Sequence, residues 1–151
     1  MAVLSAFHCT VRPEWIDYNG HLSEAYYVLV FGFATDQVMD TLGLDAAYRA
    51  TTGCSLYTVE AHVRYLAETG EGASVSITTT VVGAAAKKLH IAHEMRSDGV
   101  VIATEELLAL HVDSETGRTV AFPAPVTLAI IDHQIPDGAV GPDWVGRAVS
   151  L

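Results

Sequence analysis

A short segment leading into a predicted helix holds side chains that could act on a carbonyl group. Asp17 supplies a carboxylate seven residues before Glu24, where the helix is predicted to begin. Hydrolysis at a carbonyl carbon needs a carboxylate nearby, as nucleophile or as base for water, and hydrogen-bond donors where the oxyanion develops. Free N–H groups at a helix start are such donors, and the helix dipole has the right sign. We therefore predict Asp17 as the catalytic carboxylate and the amides of Ser23 and Glu24 as oxyanion donors.

Two more residues of this segment are candidate catalytic residues. His21 could orient a substrate carbonyl or hold the loop by hydrogen bonding, because a neutral imidazole both donates and accepts. Gly20 allows a backbone shape that other residues avoid and lets a substrate approach closely. A purely structural interpretation stays open, since residues such as Asp17 and Asn19 commonly stabilise turns.

Aromatic residues flank the segment on both sides. The predicted substrate-binding residues here are Trp15, Tyr18, Asn19, Tyr26 and Tyr27. Aromatic faces can hold a cationic group, and Glu24 would add a negative charge. The same rings could pack against a neutral aromatic or aliphatic group, and Tyr27 could simply belong to the helix core.

Other polar residues are candidates on weaker patterns. Glu60 and His62 share one face of a predicted strand, which could line a substrate cleft or be a solvated sheet face. Lys87 and Lys88 form the one adjacent basic pair, a candidate anchor for phosphates or a solvated hairpin tip. His90 and His93 point to opposite faces of a strand, and no segment has metal-ligand spacing, so we predict no metal site.

The pattern of apolar residues predicts one helix followed by a run of strands. Residues 3–12 alternate as a strand that ends at Pro13, and helical spacing runs from Glu24 to Leu42, with Ser23 as N-cap and Gly43 as stop. A linking stretch of residues 44–53 precedes four alternating runs at 57–65, 75–81, 89–96 and 100–112, with a hairpin turn at 97–99. Residues 122–151 form a proline-containing surface tail, with a short helix at 125–131. This order predicts a single α+β domain over residues 1–151, with an antiparallel sheet curved around a central helix.

Composition limits the classes of function. The net charge is −10 with eight Lys and Arg residues, which argues against nucleic-acid binding because phosphates need clustered cations. No apolar run reaches the length of a membrane span, and the first residues lack the pattern of a signal peptide, so we expect no membrane association and a cytoplasmic location. Cys9 and Cys54 are too few for a disulfide framework.

The segment Asp17–Tyr27, read as DYNGHLSEAYY, resembles the 4-hydroxybenzoyl-CoA thioesterase-like hotdog family. The helix AYYVLVFGFATD, the strand YTVEAHVRYLAE, the hairpin TTTVVGAAAKKLHIAHEM and the strand ATEELLALHVD fall in the family's order, so the resemblance covers nearly the whole chain. It implies a hotdog fold, an acyl-CoA substrate, no cofactor beyond the coenzyme A of the substrate, and a homodimer or homotetramer. Many relatives carry Asn at the position of Ser23, and Glu24 is also unusual.

The Ser23–Glu24 pair narrows the resemblance further. With the string from Trp15 to Tyr27 it is similar to the thioesterases of bacterial carnitine breakdown, which act on betainyl-CoA. Three alternatives remain open: a thioesterase for neutral acyl groups, a hotdog hydratase or dehydratase, and a non-catalytic acyl-CoA-binding module, since a fold does not determine a function. Another hotdog branch uses a carboxylate on the central helix, where this chain has Asp36 and Asp40 late in the helix.

Overall fold

A long central helix organises the fold. The computed structural model describes residues 1–151, and helix α1 runs over Glu24–Thr41. Ser23 occupies the N-cap position as predicted, although its side chain makes no capping hydrogen bond. Gly43 takes a φ of +84° just after the helix, a conformation that favours glycine. The buried residues of α1 are Tyr27, Val30, Phe31, Ala34, Thr35, Val38 and Met39, so one side of the helix packs on the sheet.

An antiparallel sheet carries the rest of the core. Its strands are β1 Phe7–Thr10, β2 Cys54–Tyr65, β3 Ser74–Ala85, β4 Lys88–Ser97, β5 Val100–Asp113 and β6 Arg118–Thr119. The order is β1-β3-β4-β5-β2, and β6 pairs with β5. Asp98 and Gly99, both with positive φ, form the predicted turn between β4 and β5. We call the sheet face that packs on α1 the inner face and the opposite one the outer face.

The inner face forms two apolar clusters beneath different parts of α1. One cluster packs the second half of the helix, including Val38 and Leu42, against Leu89, Ile91 and Leu107. The other packs the first half against the sheet around β1 and the ends of β3, β4 and β5, and its members are Val11, Trp15, Leu22, Tyr27, Val30, Phe31, Ala34, Val75, Ile77, Met95, Ile102 and Ala103. Burying apolar side chains of this size contributes about 1.5 to 3 kcal/mol each, so this second cluster fixes the start of α1.

Three local predictions were wrong. The stretch after α1 contains a helix, α2 at Ala46–Thr52, capped by the Asp45 side chain, which accepts a hydrogen bond from the Tyr48 amide at 2.8 Å. The first strand is only Phe7–Thr10. The pairing of β2 with β5 shifts between Thr58 and Glu60, a β-bulge that puts Tyr57 on the outer face.

The C-terminal part crosses the molecule after β6. Helix α3 spans Ala124–His133, close to the short helix predicted, and buries Val126 and Ile130. The chain then runs over the outer face, where the amide of Gly146 donates to Glu106 Oε2 on β5 at 2.6 Å. Trp144 is buried in this segment. None of the three helices combines the length and the apolar character that crossing a bilayer requires.

Candidate active site

The loop before α1 is a tight, internally bonded turn around Asp17. The Asp17 amide donates to the His21 carbonyl at 3.0 Å, and the Gly20 amide donates to the Asp17 carbonyl at 3.0 Å. The Asn19 amide donates to Asp17 Oδ1 at 2.8 Å, an Asx turn. Gly20 has a φ of +80°, which explains glycine at this position. One carboxylate oxygen of Asp17 therefore stabilises the loop, and the other makes no hydrogen bond within the chain.

Hydrogen bonds tie this loop to the segment that follows β2. The Leu22 amide donates to the Thr69 carbonyl at 2.9 Å. The Tyr27 hydroxyl donates to the Ala67 carbonyl at 3.0 Å, and the Tyr65 hydroxyl donates to the Glu24 carbonyl at 3.2 Å. Residues 65–69 thus lie directly against the start of α1, and both tyrosine rings are held at their outer ends.

One of the predicted oxyanion donors is wrong. The Ser23 amide donates to the Trp15 carbonyl at 3.0 Å, so it cannot also bind a substrate oxygen. The amides of Glu24 and Ala25 precede the first intrahelical bond and have no acceptor in the chain. The free donors at this helix start therefore lie one residue later than predicted.

An open pocket of about 870 Å³ joins the loop, the helix start and the end of β2. Its lining consists of Asp17, Asn19, His21, Leu22, Glu24, Tyr27, Tyr65, Leu66, Ala67 and Glu68. Asp17 lies half-buried in its wall. The structure thus brings together the predicted residues Asp17, Asn19, His21, Glu24 and Tyr27, and we call this cavity the Asp17 pocket.

The Asp17 pocket is strongly acidic. Asp17, Glu24 and Glu68 line it, and His21 is the one basic side chain, with its Nε2 3.3 Å from Glu68 Oε2. Burial raises the pKa of Tyr27 above its usual value, and the nearby charge of Glu68 raises it further. The negative field of these carboxylates favours a positively charged ligand group.

Trp15 and Tyr26 lie outside the Asp17 pocket. Trp15 is 4% exposed, and its ring stacks on Tyr26 with the centroids 5.9 Å apart. The guanidinium carbon of Arg12 lies 5.2 Å from the Trp15 ring centroid, so a cation of the chain itself already occupies that surface. Tyr18 is 97% exposed and does not line the pocket. Within one chain, these three residues do not line the Asp17 pocket.

Glu60 and His62 belong to a different cavity. Both lie on the outer face, in a cleft of about 350 Å³ lined by Glu60, His62, His90, Glu106, Leu107, Leu108, Gly146 and Arg147. His90 Nε2 lies 2.7 Å from Glu106 Oε1 there. The sheet separates this cleft from the Asp17 pocket, so one chain does not combine the two groups of predicted substrate residues. His93 points to the inner face, opposite to His90 as predicted, and no three His, Cys, Asp or Glu side chains are grouped as metal ligands.

Lys87 and Lys88 lie at the other end of the sheet. Lys88 pairs with Leu110 of β5, whereas Tyr65 of the Asp17 pocket pairs with Ala103. Ala103 and Leu110 are seven residues apart on β5, which is roughly 23 Å of strand. Lys87 Nζ donates to the Thr119 carbonyl at 3.3 Å. The basic pair is exposed and distant from Asp17 within one chain.

Tyr65 and Glu68 are pocket residues that the sequence did not predict. Both lie more than 40 positions after Asp17 in the sequence, and no local pattern links the two regions. Tyr65 occurs in an alternating strand, where it is one of two tyrosines. The signal that identifies these residues is tertiary, namely the hydrogen bonds between residues 65–69 and the start of α1.

Sequence comparisons identify the family of this chain. Residues 11–130 match the model of the thioesterase-like superfamily. The betainyl-CoA thioesterase of Pseudomonas aeruginosa is 39% identical over 99% of this chain and 96% of that protein. The L-carnitine dehydrogenase/betainyl-CoA thioesterase of Agrobacterium fabrum is 46% identical over 82% of this chain, which spans 25% of that longer protein.

Comparison with solved structures gives the same result. A candidate thioesterase from Pseudomonas putida superposes with a TM-score of 0.84 at 36% identity, covering 100% of this chain and 98% of that one. A Staphylococcus aureus protein solved in complex with CoA has the same fold, with a TM-score of 0.89 at 24% identity and coverage of 99% and 96%. The predicted α+β hotdog fold is confirmed. The chain belongs to the thioesterase-like superfamily.

Proposed function

We propose that this chain hydrolyses acyl-CoA thioesters, with Asp17 as the catalytic carboxylate. One observation carries the proposal: the Asp17 carboxylate lies in the same open pocket as the start of α1, where the amides of Glu24 and Ala25 have no acceptor. A carboxylate and free amide donors at one point are what thioester hydrolysis requires. A relative that matches 99% of this chain is named a thioesterase.

The proposed reaction uses the free oxygen of Asp17. Acting as a base, Asp17 takes a proton from water while the water oxygen attacks the thioester carbon, and the Glu24 and Ala25 amides bind the resulting oxyanion. The C–S bond then breaks, and the thiolate of CoA receives the proton from Asp17. Direct attack by Asp17 through a mixed anhydride, later hydrolysed, satisfies the same geometry. Neither route uses a metal ion or a redox cofactor.

We further propose betainyl-CoA as the substrate. The Pseudomonas aeruginosa relative, at 39% identity over nearly the whole chain, is named for this substrate. Betainyl-CoA carries a trimethylammonium group next to the reacting carbonyl. The three carboxylates of the Asp17 pocket, Asp17, Glu24 and Glu68, suit such a cation and would not favour an anionic acyl group.

The proposal includes a homodimer or homotetramer in the cytoplasm. β2 is an edge strand of 12 residues, and Val59 and Leu66 are exposed apolar residues on or just after it. Exposed apolar side chains on an unpaired edge favour association with a second copy. In such an oligomer, residues outside the Asp17 pocket of one chain, among them Lys87 and Lys88, could reach the pocket of its partner.

The test is release of free thiol from betainyl-CoA by the parent protein and by Asp17→Asn. We expect the variant to lose at least about 100-fold in kcat, as is typical for a positioned acid-base group. Asp36→Asn on α1 is the matched control, because Asp36 is exposed and lies outside the pocket. A folded Asp17→Asn variant with near-parental turnover would show that Asp17 is not catalytic. A parent that binds acyl-CoA without releasing thiol would instead support a binding module.

A further inference from the structure

We infer that Tyr65 and Tyr27 form a subsite for a quaternary ammonium group inside the Asp17 pocket, with the buried Glu105 as its countercharge. This inference rests on the proposed function and adds specificity residues to it. Tyr65 lies at the end of β2, Tyr27 in the first turn of α1 and Glu105 in the middle of β5. None of the three takes part in the proposed bond-breaking steps.

The chemistry of the acyl group decides where the cation must lie. In a betainyl thioester, one methylene separates the ammonium nitrogen from the carbonyl carbon. When the carbonyl lies between Asp17 and the free amides of α1, the three methyl groups must contact the walls of the same pocket. Tyr27 and Tyr65 are its two aromatic side chains, so the cation can meet an aromatic face only there.

The two tyrosines form a preorganised wall. Their ring centroids are 5.3 Å apart at an interplanar angle of 88°, an edge-to-face pair. Each hydroxyl is anchored, that of Tyr27 to the Ala67 carbonyl and that of Tyr65 to the Glu24 carbonyl. Tyr27 is buried, whereas Tyr65 is 48% exposed and has ring surface open to the pocket. Tyr65 is therefore the residue available to contact the cation.

Glu105 is the second, independent observation. It is not a lining residue of the Asp17 pocket: it is 4% exposed, and its carboxyl makes no hydrogen bond or ion pair in the chain. On β5 it pairs with Val63 of β2, two residues from Tyr65 and on the same inner face. Its charge acts on Tyr65, because Glu24 and Glu105 both raise the Tyr65 pKa beyond the effect of burial. A buried carboxyl without a partner is costly, and a cation held by Tyr65 would compensate it.

The surroundings of Glu105 allow its charge to be followed by pH. Burial raises its pKa to about 7. The titratable groups that flank it in the sheet are Tyr65 on β2 and His93 on β4, and Tyr27 and Glu24 at the start of α1 contact Tyr65. His93 has a pKa lowered to about 4 by burial, and burial raises the pKa of both tyrosines, so these three stay neutral near pH 7. A cation beside Tyr65 favours the ionised Glu105 and is bound more weakly as the pH falls below about 7.

The first test compares betainyl-CoA with its neutral isostere, in which a tert-butyl group replaces the trimethylammonium. The cation preference is kcat/KM for betainyl-CoA divided by kcat/KM for the isostere. We expect Tyr65→Leu to lower this preference by about tenfold. Tyr65→Phe should keep it, since a phenyl face also attracts cations. Tyr57→Leu is the matched control, a tyrosine of the same strand that is 45% exposed on the outer face. If Tyr65→Leu and the parent prefer betainyl-CoA over the isostere by the same factor, the subsite is wrong.

The second test removes the buried charge. Glu105→Gln should lower the ratio of kcat/KM for betainyl-CoA to kcat/KM for the neutral isostere. In the parent we expect this ratio to rise between pH 6 and pH 8, and Glu105→Gln should abolish that rise. Glu94→Gln, which removes a carboxylate from the outer face of the neighbouring strand, should leave both unchanged. A pH-dependent ratio that survives in Glu105→Gln would contradict the assignment of Glu105.

Binding of the tetramethylammonium ion, which carries the cation without a carboxylate, separates failure of the subsite from failure of the proposed function. Calorimetry needs no turnover, so the cation subsite can be tested even if no thioester is hydrolysed. Binding that weakens about tenfold in Tyr65→Leu but not in Tyr65→Phe or Tyr57→Leu supports the subsite. Binding that is unaffected by all three substitutions overturns it, whatever the thioesterase activity.

Discussion

Asp17 shows how one side chain can have a structural and a chemical role. The turn interpretation is correct for Oδ1, which accepts the Asn19 amide hydrogen at 2.8 Å. The same bond fixes the direction of the carboxylate at the wall of the pocket, which a catalytic group requires. The interpretations of Asp17 as a turn residue and as a catalytic residue are therefore compatible.

His93 shows how a buried histidine is kept neutral. The Thr35 hydroxyl donates to the Phe31 carbonyl at 3.1 Å, so its oxygen accepts from His93 Nε2 at 2.9 Å. Nδ1 is then unprotonated and accepts from the Thr79 hydroxyl at 2.8 Å. Burial lowers the pKa of His93 to about 4. This histidine stabilises the core between α1 and the sheet and is not a proton carrier at neutral pH.

Glu105 should lower the stability of the fold at neutral and higher pH. Its pKa is about 7 in the folded chain and about 4.5 when exposed, so the unfolded state loses the proton first as the pH rises. Stability from this group is complete below pH 4.5 and is lost as the pH rises to 7. We expect Glu105→Gln to raise the free energy of unfolding by about 2 kcal/mol more at pH 8 than at pH 5, as measured by urea denaturation.

Titration of His93 does not change the difference in unfolding free energy between the parent and Glu105→Gln. Its pKa is lowered by burial, so it destabilises the fold only as the pH falls below about 6.5, equally in both proteins. If Glu105→Gln raises the free energy of unfolding equally at pH 5 and pH 8, Glu105 is not a buried acid that titrates near 7.

At the scale of elements, the site depends on how the loop meets α1. The loop reverses through Gly20 with a positive φ, and the helix starts three residues after His21. Bonds from Leu22, Tyr27 and Tyr65 then join this junction to residues 65–69. The position of Asp17 relative to the free helix amides is thus set by the loop shape and by the second cluster beneath it.

Two glycine substitutions should change stability in opposite directions. Gly20→Ala places a Cβ at a φ of +80° with no atom within 4 Å, so it should cost about 1 kcal/mol from backbone strain alone. Gly32→Ala on the exposed side of α1 also meets no atom within 4 Å and should stabilise by about 0.5 to 1 kcal/mol through helix propensity. Urea unfolding of both variants measures this. A Gly20→Ala protein as stable as the parent would mean that the loop is not held in this conformation.

At the scale of the whole molecule, the sheet separates the candidate sites. The Asp17 pocket lies at one end of the inner face, the Glu60–His62 cleft lies on the outer face, and Lys87 and Lys88 lie at the opposite end of β4. Because the net charge is −10, an anionic ligand such as CoA must bind at one of the few basic residues. The arrangement favours an oligomer in which one chain supplies the reacting groups and another supplies the phosphate contacts.

Replacing Lys87 and Lys88 by Ala tests this division. We expect KM for CoA substrates to rise much more than kcat falls, because the contact is remote from the reacting carbonyl. Steady-state kinetics on short thioesters without the nucleotide serve as the comparison and should be unaffected. Equal losses on both kinds of substrate would show that the pair is not a phosphate anchor.

The sequence by itself determined the central helix, four of the strands and the loop that carries Asp17. These features are local: the apolar spacing defines α1, alternation defines β2 to β5, and Gly20 with Asn19 defines the turn. The segment DYNGHLSEAYY also indicated the family. Helix α2 was missed because it has only seven residues, AAYRATT, none of them buried, and so shows no apolar period.

Only the tertiary structure decided which residues share the pocket. The β2 bulge reversed the faces of the strand before Glu60 and left Tyr65 on the inner face beside Glu105. Packing buried Trp15 against Arg12 and Tyr26, away from Asp17. Strand register and long-range hydrogen bonds depend on contacts between residues 40 or more apart, and such contacts leave no local pattern in a single sequence. For that reason the chemistry could be predicted from residue types, whereas the cation subsite required the fold.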